Sequence, residues 1–143
     1  MAAGSGAGPR PARGVTLLEV MVVALIVATA AAVAVPSYRQ HALRAYRTEA
    51  KRALLDIAAA QEKFYLQNDT YAGPSALEAA PPSGLGIPAT TETGRYVIAI
   101  TIGSASAFAA TATAQGRQAD DTRCATFSIN QAGTKGATNG DCW

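Results

Sequence analysis

The stretch VTLLEVMVVALIVATAAAVAV, residues 15–35, decides the fold of this chain. It contains one charged residue, Glu19, and as a helix rising ~1.5 Å per residue it would span about 31 Å. That length matches a hydrocarbon core of roughly 30 Å. The alternative is a removable signal peptide, which has a shorter apolar run of ~7–15 residues and a small-residue cleavage site after it. Because this run is longer and ends at Pro36, we predict a retained membrane helix.

The residues on either side of this stretch divide the chain into three parts. Residues 1–14, MAAGSGAGPRPARG, are small, basic and rich in Gly and Pro, which indicates a leader that is removed on maturation. Residues 15–35 then form the membrane and assembly helix, and residues 36–143 form a head domain beyond the membrane. Without the leader, ten basic side chains oppose ten acidic ones, which disfavours a function based on bulk charge.

The hydrophobic pattern after Pro36 predicts that the helix continues into the head domain. Apolar positions recur every three or four residues, as expected for a helix with one buried face. This pattern predicts one helix of about 50 residues that stops near Asn68 and Asp69. The positions on the predicted buried face are Leu43, Tyr46, Ala50, Leu54, Ile57, Gln61 and Phe64.

Three later segments alternate between apolar and polar residues, as half-buried strands do. They are RYVIAITI at 95–102, AFAATATA at 107–114 and CATFSIN at 124–130, with connections at Gly103-Ser104 and Gln115-Gly116 that suit antiparallel pairing. The apolar rows of these strands need a cover, and the amphipathic half of the helix supplies one. The sequence therefore predicts an α+β fold, in which a long helix covers a small antiparallel sheet.

The two cysteines enclose a hydrophilic, Gly-rich segment that cannot be held in place by apolar burial. We predict a disulfide between Cys124 and Cys142 that closes this C-terminal region, with two unrelated thiols as the alternative. A disulfide would place the head domain in an oxidising compartment. The charges flanking the membrane segment leave its orientation ambiguous, because arginines lie on both sides of it.

The sequence contains little material for catalysis or metal binding. His41 is the only histidine, and it has no second His or paired Cys at ligand spacing. No set of Ser, His and Asp or of Cys and His is recognisable, and no Gly-rich phosphate loop follows a strand. We therefore predict that the chain is not an enzyme and has no metal or cofactor.

The residues GVTLLEVMVV, 14–23, resemble the processing site of type IV pilins and related pseudopilins. In that family a short basic leader ends in Gly, the cut falls before the apolar run, and Glu is the fifth residue of the mature chain. Val15 departs from the pattern, since Phe is usual there. The stretches TEAK at 48–51, QEKFYLQNDTY at 61–71 and AGTKGATNGDCW at 132–143 look like minor-pilin relatives of the type IVa pilins. The residues that match the processing motif are Gly14, Thr16, Leu17, Leu18, Glu19 and Pro36.

This resemblance implies a type IV pilin fold and a structural role, that of a minor subunit of a surface filament for adhesion, twitching motility or DNA uptake. It implies cleavage between Gly14 and Val15 and N-methylation of Val15. The implied partners are other pilin subunits, a prepilin peptidase that also methylates, and an inner-membrane assembly platform. The subunit would first lie in the inner membrane with its C-terminus in the periplasm, and would then be assembled into an extracellular pilus.

Two alternatives remain at this point. One is a pseudopilin of a type II secretion system, and the other, from a different class, is a periplasmic enzyme or binding module that keeps a single-pass anchor. A defined cut at Gly14 would argue against the anchored enzyme, which has no use for one.

Glu19 is the strongest candidate for an assembly residue. A carboxylate deep in an apolar helix costs roughly 2.5–3.5 kcal/mol on insertion scales. Cleavage after Gly14 would create a cation at similar depth, the α-amino group of Val15. We predict that Glu19 of one subunit attracts Val15 of the next, with an unpaired or protonated Glu19 as the alternative.

A basic stripe follows the membrane segment, formed by Arg39, Arg44, Arg47, Lys51 and Arg52. Glu49 and Asp56 interrupt it. These carboxylates favour a solvated or intersubunit face over a nucleic-acid site, so the sequence does not support DNA as a partner.

Overall fold

A computed structural model describes residues 14–143, and the predicted leader lies outside them except for Gly14. The chain divides into two compact units, Met1–Arg39 and Gln40–Trp143. One helix, α1, runs from Leu17 to Asn68 and contains Pro36, which confirms the prediction of a single long helix. It ends where Asp69 takes a positive φ of 54°, the left-handed conformation that commonly stops a helix.

The first half of α1 is apolar and uncovered. Its most apolar stretch of 18 residues has a mean hydropathy of 2.5, and none of that stretch is buried. The helix is therefore long and apolar enough to cross a membrane. Large apolar side chains such as Leu17, Leu25 and Val33 are exposed, as expected of a segment whose surroundings are lipid or other helices.

The head domain contains a four-stranded antiparallel sheet in the order β1-β2-β3-β4. The strands are β1 Tyr96–Ser104, β2 Ala107–Ala114, β3 Thr126–Asn130 and β4 Lys135–Ala137. The first three confirm the predicted strands, and their buried residues form the predicted apolar rows. The predicted fold class, α+β with a disulfide-closed C-terminal region, is confirmed.

One local prediction was wrong, and one strand was not predicted. Cys124 does not begin a strand, because Thr122–Cys124 forms a 3₁₀ turn before β3. The Gln115-Gly116 connection joins two strands that pair antiparallel, as predicted, and it includes another 3₁₀ turn, Gly116–Asp120. The strand β4 was not predicted, because three residues are too few to show an alternation of apolar and polar side chains. Gly136 permits this strand to pair closely, since a Cβ there would lie 2.5 Å from Ser128 Oγ.

The core lies between the second half of α1 and the inner face of the sheet. The helix contributes Ala50, Leu54 and Ile57, which are fully buried together with Tyr96 of β1 and Phe127 of β3. These side chains confirm that the amphipathic half of the helix covers the sheet.

Gln61 is also fully buried on this face of α1, although it is polar. Its amide donates to the carbonyl of Ala72 and accepts from the N–H of Ala72, both at 2.8 Å. The pair of bonds satisfies the side chain, because a buried amide without partners would cost ~1–3 kcal/mol. It also anchors the chain directly after the helix.

Candidate assembly and head-docking sites

The start of α1 is held by a side-chain cap. The hydroxyl of Thr16 accepts a hydrogen bond from the N–H of Glu19 at 3.2 Å, and the carbonyl of Thr16 accepts from the N–H of Val20. This is the geometry of an N-cap threonine, which satisfies an otherwise unpaired amide of the first turn. Thr16 matches the family motif, but its capping role was not predicted, although the spacing Thr-x-x-Glu signals it.

The cap places the predicted processing residues outside the helix. Gly14 and Val15 precede the first helical residue, Leu17, and both are exposed. A Cβ atom at Gly14 would meet nothing within 4 Å. The fold itself therefore does not require glycine at this position.

Glu19 lies in the first turn of α1, where a carboxylate interacts favourably with the helix dipole. Its side chain is exposed, and among residues 14–143 it forms no ion pair. Within one subunit the carboxylate is thus open to a partner from another molecule. The predicted pairing with Val15 of a neighbour remains a prediction.

A buried polar network joins the helix to the C-terminal part of the head. Arg47 donates to both carboxylate oxygens of Asp121, at 2.7 and 2.8 Å. Gln118 is fully buried and donates to the carbonyl of Leu43 and to the hydroxyl of Tyr96, both at 3.0 Å. The helix is thereby fixed through Leu43 and Arg47 to the segment that precedes β3.

This network shifts the pKa values of two of its members. The hydrogen bond to Asp121 raises the pKa of Arg47 above its ordinary value, so the guanidinium stays charged. Burial raises the pKa of Tyr96 to about 12, so its hydroxyl is neutral at physiological pH. Because Arg47 pairs with Asp121 of the same head domain, the basic stripe predicted from the sequence is not a continuous basic surface.

Replacing Asp121 with Ala should destabilise the head by about 3 kcal/mol, because removing one partner of a buried pair leaves the other charge uncompensated. The measurement is urea unfolding of the full chain in detergent, followed by the fluorescence of Trp143, the only tryptophan. Asp120→Ala, at the exposed neighbouring position, is the matched control and should shift the midpoint little. Equal midpoints for the two variants would contradict the role assigned to Asp121.

The C-terminal region is closed by the predicted disulfide between Cys124 and Cys142, with Cα atoms 5.7 Å apart. Trp143 donates from Nε1 to the carbonyl of Gly136 at 2.6 Å, and Arg123 forms an ion pair with Asp141. These contacts hold β4 and the last residues together. A disulfide closing a loop of this size contributes about 3 kcal/mol in the chain-entropy model.

Comparison with known families identifies the chain. Residues 36–128 match a family model described as "Type IV minor pilin ComP, DNA uptake sequence receptor". Residues 9–35 match the "Prokaryotic N-terminal methylation motif". The chain is a type IV pilin. The family match confirms the resemblance that the processing motif indicated, and it extends through the head domain to β3.

Individual relatives agree with this assignment. The pilin is 37% identical over 59 residues to the type IV major pilin PilA of Myxococcus xanthus, covering 41% of this chain and 27% of that protein. It is 32% identical over 90 residues to the type IV major pilin PilE1 of Neisseria gonorrhoeae, covering 63% of this chain and 39% of that protein. The matches thus span well under half the length of these relatives.

A solved structure of a type IV pilin from Shewanella oneidensis superposes with a TM-score of 0.50 and 26% identity, covering 71% of this chain and 97% of that one. The relatives of this pilin are structural subunits, not enzymes. Among residues 14–143, no group of three or more His, Cys, Asp or Glu side chains is placed to hold a metal ion.

Proposed function

We propose that this pilin is a minor structural subunit of a type IV pilus. It is made with a leader of residues 1–14, cut between Gly14 and Val15 by a prepilin peptidase, and methylated on the amine of Val15. It then moves from the inner membrane, through an assembly platform, into a filament of pilin subunits. The observation that carries this proposal is the pair of family matches, which together cover residues 9–128.

Two structural features support the proposal. The exposed apolar half of α1 offers a long surface for helix packing, first in the membrane and then among other pilin helices. The Cys124–Cys142 disulfide favours a head domain in the periplasm, since disulfides persist in oxidising compartments.

The test is to shear filaments from cells that produce this pilin and to quantify the chain in them by mass spectrometry. We expect a mature chain that begins at methylated Val15, at lower abundance than the main subunit. Cells without prepilin peptidase are the control, and their chain should stay in the membrane with its leader. A chain that is absent from sheared filaments but needed for protein secretion would instead support the type II secretion pseudopilin.

DNA binding is a second candidate function, and the description of the matching family model favours it. Three basic side chains of the head are engaged internally: Arg47 pairs with Asp121, Arg95 stacks on Tyr46 and Lys51 lies over Phe127. Arg44 and Arg123, which border one open groove, are more exposed. Arg123 pairs with Asp141, so Arg44 is the best candidate for a phosphate contact.

Binding of the mature pilin to duplex DNA at several salt concentrations tests this second candidate. We expect Arg44→Ala to weaken binding to all sequences alike and to lower the salt slope by about 1. Lys63→Ala, which removes another exposed cation on α1, is the matched control. Binding that does not respond to salt or to Arg44→Ala would argue against DNA at this surface.

A further inference from the structure

The strand β1 is an edge strand, and the edge that faces away from β2 is only partly paired. Alternate residues of a strand direct their backbone groups to opposite edges. On this edge Tyr96 accepts a hydrogen bond from the N–H of Thr91, and Ile98 donates to the carbonyl of Ala89. The loop before β1 therefore pairs with the beginning of the edge, and the even-numbered residues of β1 face this way.

The second half of the same edge has no backbone partner within residues 14–143. Its free groups are the carbonyl of Ile98, the N–H and the carbonyl of Ile100, and the N–H of Ile102. The regular pairing of β1 with β2 is interrupted between Ile102 and Ser104, which marks the end of the regular edge. An unpaired edge of this kind is a template for a strand from another chain.

The sequence of β1 favours such pairing. Residues 97–102, VIAITI, contain no charged residue and no proline, and all but Ala99 are β-branched. Segments of about six residues with this composition pair readily with copies of themselves. Many proteins protect an edge strand with a charged side chain or a proline. Because β1 contains neither, its protection must come from another part of the chain.

The chain that follows α1 lies against β1 and closes this edge. Pro74–Ala76 forms a 3₁₀ turn that contacts β1, and a Cβ atom at Gly73 would lie 4.0 Å from Cγ1 of Ile102. Ile100 is only 4% exposed. We call residues 73–77 the strap. The strap and β1 both lie in the described part of the chain, and no hydrogen bond joins them.

Hydrogen bonds at its two ends hold the strap in place. Before it, the buried amide of Gln61 exchanges two bonds of 2.8 Å with the backbone of Ala72. After it, the carbonyls of Ala76 and Leu77 accept from the loop that precedes β1. The position of the strap thus depends on a side chain of α1, and not on bonds to the strand that it covers.

We propose that the strap guards an interaction surface: once it is displaced, the free edge of β1 pairs antiparallel with the same edge of a second copy of this chain. The free groups fit a two-fold arrangement centred on Ile100. The two Ile100 residues exchange a pair of hydrogen bonds, and the N–H of each Ile102 donates to the carbonyl of Ile98 in the other copy. The carbonyl of Ile102 adds no bond, because the N–H opposite it already donates to Ala89.

Symmetry and charge favour a second copy of β1 as the occupant of this edge. A two-fold contact uses the same surface on both subunits, so every donor must meet an acceptor at the symmetry-related position. The free groups around Ile100 meet this condition, and β1 carries no charge that would repel its copy. The contact lies within the head domain and does not depend on the proposed pilus function. While the strap is in place, it keeps the heads of separate subunits from pairing.

Disulfide trapping between differently tagged full-length chains in detergent tests this pairing. In the proposed register Ala99 of one copy lies opposite Thr101 of the other, as a non-hydrogen-bonded pair with Cα atoms ~4.5 Å apart. That distance suits a disulfide. Both positions are exposed, and the native cysteines are already bonded to each other.

Chains with Ala99→Cys mixed with chains with Thr101→Cys should form little mixed dimer while the strap is closed. Adding Gln61→Met to both chains should raise the disulfide-linked dimer about tenfold. Methionine keeps a similar volume in the core, but it makes neither bond to Ala72, so the strap is released.

Two controls accompany this experiment. Val97→Cys mixed with Ala99→Cys should not crosslink, because in the proposed register these positions are four residues out of step, ~13 Å along the strand. Lys63→Met is the matched control for Gln61→Met. Lys63 is exposed two positions further along α1, and its replacement should leave the dimer at the level of the closed strap.

Three results would overturn the inference. In the first, Gln61→Met leaves the dimer unchanged. In the second, chains with the native Gln61 dimerise equally well, so that the strap guards nothing. In the third, the Val97→Cys pair crosslinks as strongly as the Thr101→Cys pair, as expected if the variant head unfolds or aggregates without register. Dimer that is specific to the register and appears only with Gln61→Met supports both the pairing and the strap.

Discussion

Replacing Gly14 with Val should leave the leader on the protein, so that the intact mass retains residues 1–14 and lacks the added methyl group. We expect near-complete loss of the mature form, because the family resemblance implies a cut after Gly and hence a need for a small residue at this position. The fold gives no other reason for a defect, since a Cβ at position 14 would meet nothing within 4 Å. Any loss of processing therefore reports on recognition by the peptidase.

Ala12→Val is the matched control for this experiment. It adds similar bulk two residues upstream, within the leader but away from the predicted cut, and should be processed normally. Normal maturation of Gly14→Val, or a wild-type chain whose mass begins elsewhere than Val15, would show that the predicted cleavage site is wrong.

The long helix and the first three strands could be predicted because each has a strong periodic signal. The helix is a continuous apolar run in its first half and repeats apolar residues every three or four positions in its second half. The strand β1 alternates Tyr96, Ile98 and Ile100 with exposed neighbours. The Cys124–Cys142 pair was predictable because residues 130–141, which precede the second cysteine, are hydrophilic and rich in Gly.

Features that depend on distant partners could not be predicted in the same way. Arg47 looks like any other member of a basic stripe in the sequence, yet Asp121, 74 residues away, takes both of its hydrogen bonds. The strand β4 is too short for a periodic signal and exists because Trp143 and the disulfide hold its surroundings. The groove bordered by Arg44 and Arg123 likewise requires the turns before β3 to reach the flank of α1.

The local geometry at the helix start adds a constraint on the assembly hypothesis. The hydroxyl of Thr16 caps the backbone N–H of Glu19, not its side chain. Substitution of Glu19 therefore leaves the cap in place, and the helix still begins after Val15. The carboxylate can be removed without moving the predicted N-terminal amine. A substitution of Glu19 therefore tests the carboxylate charge separately from the start of the helix.

Glu19→Gln should leave synthesis, cleavage and membrane insertion intact while the subunit enters filaments poorly. If Glu19 pairs with the amine of Val15 on a neighbour, the pair forms among apolar helices. Losing one partner there costs roughly 3–5 kcal/mol, because the other charge is left uncompensated. If the carboxylate has no partner, the same change should favour insertion, since it removes a charge from an apolar segment. The two hypotheses therefore differ in whether the substitution impairs assembly.

The measurement is the ratio of filament protein to membrane-pool protein, with variant and wild-type subunits competing in the same cell. We expect Glu19→Gln to lower this ratio by at least tenfold. A loss of ~3 kcal/mol alone would lower it roughly 100-fold, but contacts along the rest of α1 offset part of that loss.

Thr29→Ala is the matched control: it removes a hydroxyl bonded to the carbonyl of Ile26 in the same apolar segment, without changing charge. Equal incorporation of Glu19→Gln and wild type would reject the pairing. A deficit shared by Thr29→Ala would place the sensitivity in the apolar segment as a whole. A deficit confined to Glu19→Gln is the result that assigns the carboxylate to assembly.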